Sequence, residues 1–114
     1  MMNQAVLVGR LTRDLEVHET ENGKLVSNIT LAIPRPYKNV EGVYDTDFID
    51  VTLWNAVAEK TSEYCRKGDL VGVKARLQAD TYEKDGEKKY ALNIVADKVT
   101  FLSSRAKSEP EPAL

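Results

Sequence analysis

Residues 47 to 55, "DFIDVTLWN", carry two aromatic rings six positions apart, Phe48 and Trp54. Read as a strand, the segment alternates, with Ile49, Val51 and Leu53 on one face and Phe48, Asp50, Thr52 and Trp54 on the other. The aliphatic set is a core face, so the two bulkiest residues lie on the side that also carries an aspartate and a threonine. "LVGVKARLQADTY" repeats the arrangement: Val71, Val73, Ala75 and Leu77 form the core side, and Lys74, Arg76, Gln78, Asp80 and Tyr82 the other. A fourth ring, Tyr37, stands close to Arg35 and Lys38. Rings interleaved with cations suit a single nucleic-acid strand, whose bases stack at about 1–3 kcal/mol each while Lys and Arg attract its phosphates. A duplex hides its base faces, so this pattern favours single strands.

Plainer readings of the same residues exist. A Phe and a Trp on one strand face can pack against a second sheet, a subunit or a loop, and basic pairs are often only solvated surface. The same aromatic surface also fits a module that binds a protein or an oligosaccharide. Convergence favours nucleic acid: four rings, two basic strand residues and a basic loop all fall on non-core positions. Catalytic chemistry has little to work with. His18, the single histidine, reads as a surface strand residue, and Cys65 falls on an apolar helix face where a thiol is inert core. No metal-ligand cluster, phosphate-cradling glycine loop or nucleophile elbow is present. Asp45, Asp47 and Asp50 lack partner residues and read as solvated charge. The expectation is a protein that is not an enzyme and holds no metal.

The elements that would position these side chains follow from periodicity. "QAVLVGRL" opens one long or bent strand over 4–18, with Gly9 at a bulge or sharp bend. After the turn at Glu21-Asn22-Gly23, "LVSNITLAI" alternates as a second strand, which Pro34 and Pro36 are expected to stop. Residues 34–46 read as a long connecting loop, and 47–55 as the third strand. Val57, Thr61, Tyr64 and Cys65 then share one face of a short helix over 56–66 that Lys67-Gly68 can end. A fourth strand starts at Leu70, and an Asp85-Gly86 turn makes 82–90 a hairpin into a fifth strand ending near Leu102. Three strands, a short helix and a closing hairpin give an all-β chain: the five-stranded Greek-key barrel called the OB-fold, with its helix between strands 3 and 4.

Bulk properties agree. A chain of 114 residues with 42% hydrophobic and 30% charged content suits one domain, expected over 1–103, followed by a disordered tail over 104–114. No apolar run reaches the roughly 18–20 residues that cross a bilayer, and "MMNQAVLVGR" has no secretory pattern, so a cytoplasmic protein without membrane contact is expected, nucleoid-associated if it binds DNA. One cysteine cannot form an internal disulfide. The formal net charge of -2 means that any polyanion site must come from local segregation of charge, visible as basic pairs at Arg10 and Arg13, Arg35 and Lys38, Arg66 and Lys67, and Lys74 and Arg76.

The segments "NQAVLVGRLTRDLEV", "ENGKLVSNITLAI", "TDFIDVTLWN", "AEKTSEYCRKGDLVGVKARLQADTYEKDG" and "ADKVTFL" resemble, in order and spacing, the bacterial single-stranded DNA-binding protein family over about residues 3–102. The resemblance implies an OB-fold homotetramer, without catalysis or cofactor, that protects single-stranded DNA in replication, recombination and repair. The family's stacking rings match Tyr37, Phe48, Trp54 and Tyr82, and its basic backbone contacts carry over to Arg35, Lys38, Lys67, Lys74 and Arg76. The first strand, Asn3, Ala5, Val6, Leu7 and Val8, resembles the family's subunit-pairing strand. Leu15 and Ala75 replace a proline and a glycine common in the family, neither on the proposed DNA face. Longer members carry an acidic tip ending in Pro-Phe that recruits replication and repair enzymes. The sequence "SSRAKSEPEPAL" has two basic and two acidic side chains instead, so such recruitment is not expected of it. A short form linked to DNA uptake, a phage version and a truncated form all fit that ending. Asp50, on the face of the rings, would repel phosphate; it is expected at the groove's margin or paired with a cation.

Overall fold

The computed structural model describes residues 1–104. Its elements run β1 (Ala5–Leu11), β2 (His18–Glu19), β3 (Leu25–Lys38), β4 (Tyr44–Trp54), α1 (Asn55–Tyr64), β5 (Leu70–Lys84) and β6 (Glu87–Ser103). The neighbour order β1-β5-β6-β4-β3, with β1 also paired to β3, closes five strands into a barrel. One helix sits between the third and fourth barrel strands, and the chain is an OB-fold. The two-residue β2 is a short addition on the edge of β3.

Alternation decides what fills the barrel. Ile29, Leu31, Val51, Leu53, Val71 and Val73 are at most 1% exposed, and Leu11, Ala58, Cys65, Ala75 and Ala96 complete the cluster. Closure occurs at the end of β1, where Arg10 faces Leu70 on one side and Ala32 on the other, and Leu11 faces Leu31. Gly9 is required there. A Cβ at that position would lie 2.7 Å from Ile33 Cγ1 and 2.8 Å from the Ala32 carbonyl oxygen. The bend expected at Gly9 is thus a close approach of two backbones.

Several boundaries differ from the sequence expectation. The strand expected over 4–18 is two pieces, because β1 ends where the loop around Asp14 takes over: Asp14 Oδ1 accepts the Lys67 amide at 2.7 Å. Pro34 and Pro36 do not stop β3, which runs on to Lys38. Past Ile33, β3 has a partner only in β4, so the missing proline N–H groups fall on an unused edge, and the register slips between Pro34 and Lys38. The expected loop over 34–46 is therefore mostly strand. It folds into a hairpin arm whose turn is held by Asn39: its amide donates to the Val43 carbonyl, and its side-chain oxygen accepts from the Glu41 and Val43 amides. The helix starts at Asn55 and ends at Tyr64; Tyr64, expected on its apolar face, is exposed, while Cys65 is buried just beyond the last turn. Leu77, expected in the core, is also exposed, because β5 and β6 outrun the barrel as a second arm. Its turn, Asp85-Gly86, has φ of 53° and 77°, the two-residue hairpin geometry that the sequence implies. The tail expected over 104–114 lies, apart from Ser104, outside the described residues.

Gly9→Ala forces the two closing strands apart and is expected to destabilise the fold by about 1–3 kcal/mol. The midpoint of urea unfolding measures this, and an unchanged midpoint would contradict the close approach at closure.

Candidate nucleic-acid interface

Outward positions of neighbouring strands line up in rows. Arg10 of β1 faces Ala32 of β3, which faces Phe48 of β4. With strands about 4.8 Å apart, a cation and a ring are brought within about 10 Å along the backbone. In the next row Thr30 faces Asp50, and in the next Asn28 faces Thr52. Arg13 reaches over these rows, donating from Nη1 to Thr30 Oγ1 at 2.8 Å and from Nη2 to the Asn28 carbonyl at 3.1 Å. β4 and β6 run parallel and pair only at Thr52 and Val95, and the residues that precede this point on each strand stand apart. Between them lies an open groove of about 590 Å³, walled by Phe48, Asp50, Thr52, Asn28 and Arg13 on one side and by Leu92–Ile94 on the other.

Of the four expected rings, Phe48 alone lines this groove; its side chain is two-thirds exposed, at 67%. Trp54 shares its face but sits at the far end of β4 opposite Val26, some 20 Å away at about 3.3 Å per residue. Tyr37 is exposed on the first arm. Tyr82 is exposed on the second, opposite Lys89 and, by alternation, turned from the side that carries Tyr90 and Leu92. Further exposed apolar side chains lie near the rings, among them Tyr44, four residues before Phe48 on its face, and Tyr90 and Leu92 on the second arm. Tyr44 was legible by parity had β4 been extended backwards. Leu92 becomes visible only once β6 is placed across from β4.

The cations divide by their partners. Arg35 makes a two-pronged ion pair with Asp47, Nη2 to Oδ1 at 3.0 Å and Nε to both oxygens, on the strand face opposite Phe48. The hydrogen bond from Arg35 holds the Asp47 carboxyl below its ordinary range, and the same bond raises Arg35. Arg76 is likewise paired with Asp97. Lys38 lies 5.7 Å from the centre of the Tyr44 ring at the end of the first arm. Lys74 faces Val6 on one side and Lys98 on the other, two strands from β4 around the barrel. Lys67 shares a surface pocket with Arg10, Thr12 and Ala32, adjoining the Phe48 row. Arg10 and Arg13, noted only as a basic pair in the sequence, thus stand closer to the groove than Arg35 or Lys74. Pairing of the end of β1 with β3 brings Arg10, and Arg13 just beyond it, to this position.

On β1, Ala5 and Leu7 pack toward the core, whereas Val6 and Val8 are exposed. Leu102 lies over Gly72, the residue facing Val8, and extends this outward apolar patch. Asn3 is engaged within the chain. Its side chain donates to the Leu77 carbonyl at 2.8 Å and accepts the Leu77 amide at 2.9 Å, continuing the β1–β5 ladder with a side chain. His18 is an exposed residue beside Glu16, and burial pushes the Cys65 thiol up. Among the described residues no group of three or more His, Cys, Asp or Glu could hold a metal ion, and no helix is long and apolar enough to cross a membrane.

Residues 2–102 match the profile of the Single-strand binding protein family. The chain is 41% identical over 110 residues to "Single-stranded DNA-binding protein B" of Bacillus subtilis strain 168, covering 96% of this chain and 97% of that one. It is 45% identical over 106 residues to "Single-stranded DNA-binding protein 3" of Listeria innocua, covering 92% of this chain and 66% of the relative. A crystal structure of a deletion mutant of the single-stranded DNA binding protein from Thermus aquaticus superimposes with a TM-score of 0.75 at 29% identity, over 92% of this chain and 52% of that one.

Proposed function

The chain belongs to the single-strand binding protein family and binds single-stranded DNA; we propose that it does so by stacking bases on exposed rings while basic side chains track the phosphates. The observation that carries the mechanism is the row Arg10, Ala32, Phe48 beside the open groove, where a cation, a flat small residue and a ring follow one another across three strands. Phe48 and Trp54 supply stacking surfaces along β4, and Tyr37 and Tyr82 extend them on the two arms. Arg10, Arg13, Lys67 and Lys38 are the phosphate contacts this geometry favours. Arg35 and Arg76 are already matched by carboxylates, which reduces what they can offer a phosphate.

The protein acts in the cytoplasm at the nucleoid, protecting exposed strands in replication, recombination, repair or DNA uptake, with no catalytic step. It assembles as a homotetramer. The outward patch of Val6, Val8 and Leu102 supports pairing through β1, since exposed aliphatic residues on a barrel wall gain most from a second subunit.

Trp54 is the only tryptophan. Its fluorescence is expected to quench as oligo-dT is added, with affinity falling as salt rises; no quenching, together with no gel shift at low salt, would remove the proposal. Arg10→Ala and Arg13→Ala are expected to weaken oligo-dT binding a few-fold each and to make the salt slope shallower by about one. Arg35→Ala should stay within about twofold of the parent; the reverse ranking would show that the phosphate path runs along the first arm instead. The double substitution Val6→Asp with Val8→Asp is expected to lower the oligomer mass in light scattering while the circular dichroism of the barrel persists. A tetramer that survives it would place the subunit contact elsewhere.

A further inference from the structure

A carboxylate in the wall of a groove for a polyanion needs an explanation. Asp50 is an exposed residue in the groove's lining and forms no ion pair among the described residues. It lies two residues from Phe48 on the same face, about 6.6 Å along the strand, and within the groove's lining. Its carboxylate is held in place: Thr30 Oγ1 donates to Asp50 Oδ1 at 2.6 Å, while the same hydroxyl accepts from Arg13 Nη1. Oδ2 takes no part in that contact. In the next row Asn28 accepts the Thr52 hydroxyl on its side-chain oxygen at 3.0 Å, so the donor end of the amide, Nδ2, is not used in that bond. Across the groove, Asn93 Nδ2 is committed to Asp80.

Resting on the single-strand binding reading, we infer that this groove is a base-reading subsite that prefers guanine. A base stacked on Phe48 turns one edge toward Asp50. An ionised carboxylate only accepts hydrogen bonds, and guanine alone among the four bases presents two adjacent N–H donors, N1–H and N2–H, on its Watson–Crick edge. Thymine offers one donor flanked by two carbonyls, and cytosine and adenine place a lone pair beside their amino group; each sets an acceptor against the carboxylate. Guanine O6 lies next to N1–H, where the Asn28 amide can donate to it. Single-stranded bases are read in this way, by stacking together with hydrogen bonds to the Watson–Crick edge. Arg13 and Thr30 are positioning residues: they fix the carboxylate and offset part of its charge.

The test is competitive anisotropy with the full chain and labelled strands of equal length, dT, d(TC), d(TG) and d(TI) repeats, in lithium buffer so that guanines stay unassociated. Inosine keeps N1–H and O6 and lacks the 2-amino group. The parent protein is expected to bind d(TG) about fivefold more tightly than d(TI) and d(TC), near the low end for a bidentate pair. Asp50→Asn is expected to abolish that preference while dT binding is kept or strengthened. If Asp50→Asn tightens all four strands equally and the d(TG) to d(TI) ratio stays at one in both proteins, Asp50 is only a repulsive charge and this inference fails alone. If the parent protein binds none of the strands at low salt, the binding reading fails with it.

Discussion

The structure depends on one shared strand. β1 hydrogen-bonds β5 along most of its length and β3 at its last two residues, so the sheet has no free end between them. Closure turns a period-two pattern into an inside and an outside. Without it, Ile29, Leu31, Val51 and Val73 would face water on one side of a flat sheet; with it, all four are at most 1% exposed. Closure also fixes which outward residues become neighbours. Arg10 lies across Ala32 from Phe48 because Gly9 lets β1 come close enough to pair with β3.

A chain of net charge -2 must offer a polyanion something other than bulk attraction. Pairing does the sorting. Asp47 neutralises Arg35 on the strand face opposite Phe48 and Asp97 neutralises Arg76, whereas Arg13 is spent on a hydroxyl and a carbonyl and keeps its charge. Near Phe48 the cations Arg10, Arg13 and Lys67 stand against Asp50, with Asp80 bonded to Asn93 across the groove. Lys74 and Lys98, side by side on the β5–β6 wall, belong to a different surface that adjoins Val6.

The two arms extend the reach of the barrel. Each is a hairpin that continues barrel strands past the core, so its backbone geometry is set by the ladder while its side chains are exposed on both faces. In the first arm the prolines are tolerated because β3 has lost its second neighbour there. In the second, the strands remain paired up to Lys84 and Glu87. Rings on such arms meet a flexible strand without the cost of being pulled from a core.

Much of this was legible from residue order. Alternation in "DFIDVTLWN" separated Ile49, Val51 and Leu53 from Phe48 and Trp54, and the structure buries Val51 and Leu53, half-buries Ile49 and exposes the two rings. The Asp85-Gly86 turn was legible because few residue pairs accept positive φ twice in succession. Other elements were not. Pro34 and Pro36 read as terminators because local sequence cannot say whether a second edge is in use, and Leu77 read as core because period two does not say where the barrel stops. By itself the sequence determined the strand faces, the turns and the supply of rings and cations, since these depend on neighbours in the chain. The tertiary structure decided which cations are matched by carboxylates, that Arg10 lies across Ala32 from Phe48, and that Arg13 and Asp50 line the same groove as Phe48, because each depends on contacts between strands far apart in sequence.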